Sequence, residues 1–205
     1  MYIHQITQIS EAHCGAAVLQ MLLETMGVTT DQRTIAEAAR VENVIEEHGM
    51  RIDQIAIACN RIAPHLAFWY KYYSSLEDLK YLLQKNIAVG VEWQGLFYQS
   101  IEEEEEEEEG RDEADYGHYS VISFYDEELQ QLVIVDPYKD FADQNRVFSL
   151  DTFLERWWDT NEIKNEHTGR KEIIEDNRLL FFLTTTEEEI PAEMGFKQFN
   201  IVRDN

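Results

Sequence analysis

From Cys14 to Met26 the apolar residues fall on two faces of a helix. Val18, Met21 and Leu22 form one face, and Leu19, Leu23 and Met26 form the other. A helix apolar on two faces belongs in the middle of a fold. Gly27 follows it as a residue suited to a left-handed C-cap. Asp31 opens a short predicted helix through about Ala39, with Thr30 or Asp31 as N-cap. A third helix is expected from about Met50 to Ile62, with Ile52, Ile55, Ala56, Cys59 and Ile62 on one stripe. Ser74 or Ser75 caps a fourth that carries Leu76, Leu79, Leu82 and Leu83.

Beyond Lys85 the period changes. Ile87 to Trp93 is short and β-branched, which predicts a strand. Residues 94–116 carry no regular pattern. Tyr119 to Tyr125 and Leu132 to Val135 predict a hairpin around a polar tip at Asp126 to Glu128, ended by Asp136-Pro137. Val147 and Phe148 add a strand and Leu150 to Trp158 a helix. Asn161 to Asn177 reads as polar loop, Leu179 to Leu183 as a central strand, and the tail beyond Thr186 as irregular. Helices first and an antiparallel sheet afterwards make an α+β arrangement. The expected organisation is one domain over residues 1–185, with an insertion at about 94–116, and a tail over 186–205.

Charge changes this picture in one place. The chain has 205 residues with 41 acidic and 17 basic side chains, for a net charge of -24. Glu102 to Glu109 is an unbroken acidic run; with those eight taken from the 41, 33 acids still face 17 bases. Such a chain is not expected to bind nucleic acid through phosphate neutralisation, nor to dock on anionic lipid. At 44% hydrophobic it still has the material for a core. Residues 1–13 carry no basic start and no apolar block, so they do not read as a signal peptide. No apolar stretch approaches the roughly 20 residues of a membrane helix. Two cysteines make no disulfide framework, and the expected setting is the reducing cytoplasm.

Cys14 opens a buried helix, where partial positive charge and unpaired N–H groups favour a thiolate. Gly15, Ala16 and Ala17 after it allow close approach to the sulfur. A cysteine among apolar residues is ordinarily core; Cys59, on its apolar stripe, fits that description better than Cys14 does. His118 begins one predicted strand and Asp136 ends the next, so a hairpin would bring them to the same end of the sheet. Nucleophile, base and orienter are then available together. Asp136 can equally be a turn residue before proline. Gln8, in the loop six residues before Cys14, could donate to an oxyanion, with Gln5, Gln20 and other glutamines as alternatives. His13 reads as a surface or capping residue, while His4, His48, His65 and His167 lack metal-ligand spacing. No cofactor or metal is expected. Trp93, Phe97 and Tyr98 are the expected cleft-lining aromatics, and Phe68, Trp69, Tyr70, Tyr72 and Tyr73 read as core and rim.

Gln8, then Cys14-Gly15-Ala16-Ala17, Gly117-His118-Tyr119 and Asp136-Pro137, in that order, resemble cysteine peptidase family thirty-nine. These are papain-like, double-glycine leader peptidases associated with bacteriocin export. The resemblance spans roughly residues 5–158. It implies a papain-like fold with Cys14 as nucleophile, His118 as general base, Asp136 as orienter and Gln8 as oxyanion donor. His13 stands where the family usually has an acidic residue. The expected activity is hydrolysis of an amide, most simply a peptide bond, in a peptide or protein substrate. The acidic run before His118 reads first as a solvated insertion without chemistry of its own, and in the alternative reading it would favour basic substrates. The alternatives are a binding module that keeps the fold without turnover, and acyl transfer or deamidation by the same three residues.

Overall fold

A computed structural model describes residues 1–95, 117–164 and 170–200. The Glu102–Glu109 run, Phe97, Tyr98 and His167 lie outside the described residues. The N-terminal half supplies α1 (Cys14–Thr25), α2 (Gln32–Ala39), α3 (Ile45–His48), α4 (Ile52–Ile62), β1 (Leu66–Lys71) and α5 (Leu76–Gln84). There follow β2 (Val89–Gln94), β3 (Gly117–Asp126), β4 (Gln131–Val135), β5 (Asn145–Ser149) and α6 (Leu150–Arg156). The chain continues through β6 (Trp158–Lys164), β7 (Lys171–Asn177), β8 (Leu180–Thr185) and β9 (Lys197–Gln198).

Local chemistry sets several of these boundaries. Gly27 takes φ +76 past the end of α1, and the Val28 and Gly27 N–H groups return to the Leu23 and Glu24 carbonyls, the double closure of a Schellman motif. The Asp31 carboxylate caps α2 through the Thr34 N–H at 2.9 Å. At α5, Ser75 and Asp78 cap each other reciprocally, and Lys71 pairs with Asp78 at 2.8 Å.

Among the described residues a seven-stranded sheet runs in the order β5-β4-β3-β2-β8-β1-β9, all neighbours antiparallel. One face packs on α1 and α4, which α2 covers in turn, through Tyr119, Val121, Phe181 and Leu183. The other packs on α5 and α6 through Val91, Trp93, Ile122, Leu180 and Phe182. Alternate residues of one strand thus serve opposite cores. β8, apolar on both faces, sits centrally between β2 and β1.

Three stretches differ from expectation. Leu66–Lys71, where the aromatic cluster begins, is a strand paired with β8 and β9. Residues 161–164 and 171–177 are not loop: β6 and β7 pair as a separate two-stranded antiparallel sheet. The tail is mostly irregular, but Lys197–Gln198 pairs with β1 and the Phe196 ring packs edge-on against Phe182. That apolar contact gives the tail a reason to stay on the sheet.

Candidate active site

Cys14 is the first residue of α1 and is buried, as are Gly15, Ala16 and Ala17 behind it. Space there is tight. A Cβ on Gly15 would lie 3.1 Å from Ile55 and 3.3 Å from both Met50 and the Tyr119 ring. Tyr119 therefore packs on the helix one residue from the sulfur.

β3 starts at Gly117 and β4 ends at Val135, and their antiparallel register sets Val121 opposite Val135. The start of one strand consequently meets the end of the other. His118 Nε2 lies 2.8 Å from Asp136 Oδ1, with both side chains buried. The Cys14 side chain is a neighbour of the same ring and helps to hold its proton. With Nε2 turned to the carboxylate, Nδ1 is the nitrogen offered to the sulfur. Three residues predicted from the sequence are thus brought together, from α1, β3 and the end of β4.

Their charges support one another. Burial alone would lower the His118 pKa, but the charge and hydrogen bond of Asp136 and the contact with Cys14 outweigh it. The result is pushed up to about 10. For Asp136 burial works against ionisation. His118, the Tyr138 N–H (2.9 Å) and Arg146 (2.9 Å) more than offset that and hold the carboxyl below its ordinary range. Cys59, in the core, is pushed up to about 12 by burial. Both cysteines are free.

Gln8 is placed differently. Its backbone N–H donates to the Pro137 carbonyl at 2.8 Å, which ties it to the turn carrying Asp136. Its side-chain amide donates to the Ser10 and Glu11 carbonyls at 2.8 and 3.1 Å, turned into its own loop. Gln8 Oε1 is buried with no hydrogen-bond partner among the described residues. His13 is buried rather than at the surface; it occupies the N-cap position of α1 without making a side-chain cap. Its Nδ1 lies 2.6 Å from Ser10 Oγ and 3.5 Å from Glu46, and burial, only partly opposed by Glu46, lowers its pKa. Trp93 does not line a cleft. It is fully buried against Phe148 and Phe153, with Nε1 donating to Ser120.

Three residues hold this arrangement: Gln32 and Arg146, unmarked in the sequence reading, and Gln5, named there only as an alternative oxyanion donor. Gln5 Nε2 donates to the Asp136 and Phe141 carbonyls at 2.6 and 2.7 Å. Gln32, in the first turn of α2, donates to the Thr7 carbonyl and accepts the Ile9 N–H, both at 2.9 Å. Arg146 meets Asp136 from β5. No local pattern marks Gln5 or Arg146, whereas a glutamine at a buried helical position such as 32 is a weak sign of a polar duty.

A second buried group adjoins the first. Glu92 faces Tyr119 across β2 and β3 and accepts from Asn161 Nδ2 at 3.3 Å, while Asn161 also reaches Asp176 at 2.9 Å. Burial above all, with the charge of Asp176, pushes Glu92 to about 7, against the hydrogen bond from Asn161. Gln94 donates to Asp159 at 2.8 Å. A Cβ on Gly117 would lie 2.5 Å from an Asp159 carboxylate oxygen, so the glycine before His118 is what admits that carboxylate. Among the described residues no group of three His, Cys, Asp or Glu is arranged to hold a metal ion. No described helix is long and apolar enough to cross a membrane.

The family model described as Peptidase_C39 like family matches residues 1–165. The chain belongs to that family. Its fold resembles the peptidase domain of Streptococcus ComA, a bi-functional ABC transporter involved in quorum sensing. The TM-score is 0.58 at 16% identity, over 90% of this chain and 100% of that one. A C39-like peptidase from Bacillus anthracis gives TM-score 0.59 at 14% identity, over 88% and 94%. A double glycine motif protease from an AMS/PCAT transporter, solved with its leader peptide, gives 0.54 at 14%, over 90% and 93%. No curated protein sequence matches the chain. The C39-like fold is thus the papain-like α+β arrangement, and family and fold together are those of cysteine peptidases.

Proposed function

We propose that this C39-like chain hydrolyses peptide bonds, with Cys14 as nucleophile, His118 as base and acid, and Asp136 as its orienter. The observation that carries this reading is His118, paired with the Asp136 carboxylate at 2.8 Å and neighboured by the Cys14 side chain at the start of α1. In the reaction His118 takes the Cys14 proton through Nδ1, and the sulfur attacks the substrate carbonyl carbon. The carbonyl oxygen takes the electron pair and is stabilised by N–H groups at the start of α1, joined by Gln8 once its amide leaves the Ser10 and Glu11 carbonyls. The C–N bond then breaks as His118 returns the proton to the departing amine, and water resolves the thioester.

The substrate is a peptide or protein segment; the AMS/PCAT relative, solved with a leader peptide, supports that class. Basic segments are favoured, because Glu102 to Glu109 lie in the connection leading into His118. Two unpaired cysteines suit the cytoplasm. The test is alkylation by iodoacetamide near neutral pH with peptide mapping, alongside peptide hydrolysis. Cys14 should react well ahead of a small free thiol, and Cys14→Ser and His118→Ala should abolish cleavage. Modification of Cys14 at the free-thiol rate would count decisively against an activated nucleophile. The inward-turned Gln8 amide favours a second reading, a binding module without turnover. A Cys14→Ala chain that retained its whole cellular role would support it.

A further inference from the structure

Arg146 lies on β5, an edge strand on which Asn145, Val147 and Ser149 are exposed while Arg146 and Phe148 are partly buried. An arginine on an edge strand ordinarily runs its charge out to water. Here the side chain is only 10% exposed, and Nη1 donates to Asp136 Oδ2 at 2.9 Å. The guanidinium lies 3.6 Å from the Phe141 ring centre and 4.6 Å from that of Phe148. Phe141 follows the Asp136-Pro137 turn and Phe148 shares the strand, so the two rings fix the plane of the fork. A guanidinium drawn this far from water needs a fully charged partner. Asp136, with no exposed side-chain surface, is that partner.

The carboxylate is thereby held from opposite sides. Oδ1 takes the His118 ring and the Tyr138 N–H, and Oδ2 takes Arg146. Turning Asp136 away from His118 would break the Arg146 pair as well. The negative charge that favours protonated His118 is also shared with a second cation. Among the described residues, Cys14 from α1 and Tyr119 next to His118 on β3 are titratable neighbours, and Glu92 from β2 and Asp159 from β6 lie in turn beside Tyr119. His13, paired with Glu46, precedes Cys14 in the chain.

We propose that Arg146 is a positioning residue. It locks the Asp136 carboxylate onto His118 and limits how tightly the Cys14–His118 pair holds its protons. The inference rests on Cys14 being the nucleophile. Removing the Arg146 charge takes a positive neighbour from both members of the pair. Both proton losses then become harder: the one that forms thiolate and imidazolium, and the one that discharges His118. Both limbs of the pH profile of Cys14 reactivity should move upward, by about half a unit to one unit.

The test uses the full chain and its Arg146→Gln, Arg146→Lys and Arg146→Met variants. The rate of Cys14 alkylation by iodoacetamide is followed from acid to alkaline pH with peptide mapping, and folding is checked by thermal melt. Arg146→Gln keeps an N–H for Oδ2 without the charge, and should displace both limbs upward. Arg146→Met should do the same and also lower the maximum rate. Arg146→Lys keeps the charge but not the ring-held fork. Its limbs should coincide with wild type while its maximum falls by about threefold or more. A merely structural role would reduce the folded fraction and leave the limbs in place. Superimposable profiles for Arg146→Gln and wild type would overturn the proposal. Should the Gln and Met variants not fold, an Arg146→Lys protein with the full wild-type maximum would overturn it. Wild-type Cys14 reacting no faster than a free thiol at every pH would instead sink the nucleophile reading, so the two failures are told apart in the wild-type protein.

Discussion

Glu92 makes the stability of this protein depend on pH in an unusual direction. It lies on a strand between two cores, 1% exposed, with Asn161 donating to it and Asp176 sharing the same amide. Burial pushes its pKa from 4.5 to about 7. Between those values the folded state keeps a proton that the unfolded chain releases. The linkage therefore runs against the fold as pH rises: the contribution is full below 4.5 and is lost progressively up to about 7. A shift of that size amounts to about 3 kcal/mol. Because Asn161 joins Glu92 to Asp176, the titration belongs to the pair. Glu92→Gln keeps an oxygen for Asn161 and removes the ionisation. Urea unfolding from pH 4.5 to pH 8 should show the variant gaining on wild type as pH rises, by about 3 kcal/mol at the upper end. Asp136, His118 and Asp78 titrate in both proteins and cancel in the difference. A difference between the two proteins that stayed constant across the window would refute the reasoning.

Three further outcomes are expected. Gly117→Ala puts a methyl against the Asp159 carboxylate and should destabilise by about 1–3 kcal/mol; urea unfolding should show part of that loss restored when Asp159→Ala is added. Asp136→Ala leaves the Arg146 charge buried and removes the His118 acceptor, so Cys14 alkylation near neutral pH should slow by about a hundredfold or more; an unchanged rate would remove Asp136 from the site. Deleting Glu102 to Glu109 should lower cleavage of basic peptides relative to acidic ones, and added salt should have the same effect on wild type; a ratio insensitive to both would reduce the run to a solubility feature.

The features legible in the sequence are those in which the buried face is apolar. α1 was readable because small and branched apolar residues cover two of its sides, and Gly27 marks its end. β8 was readable because Leu179 to Leu183 is apolar throughout. The β6–β7 pair was not, since the residues it turns to the protein are Asp159, Asn161 and Asp176. A strand whose inner face is polar lacks the period-two signal. Trp93 shows a signal present but overlooked: Val89, Val91 and Trp93 alternate into one core, which places the indole inside. At the site, Cys14, His118 and Asp136 could be found because each begins or ends a readable element. Arg146 and Gln5 could not, because their partners lie on distant elements and no spacing encodes such contacts.

Gln94 and Gly117 are opposite one another on β2 and β3. Everything between them therefore leaves and re-enters the sheet at a single rung, beside His118. Loop closure grows only slowly with length, about 0.6 kcal/mol for each doubling. An inserted segment at this rung can lengthen, shorten or change its charge with little consequence for the sheet. The acidic run belongs to the connection that opens at this rung, so its sequence can change while the strands carrying His118 and Asp136 keep their register. In evolutionary terms the rung works as a socket: the sheet stays fixed while whatever is plugged in between Gln94 and Gly117 is free to be exchanged.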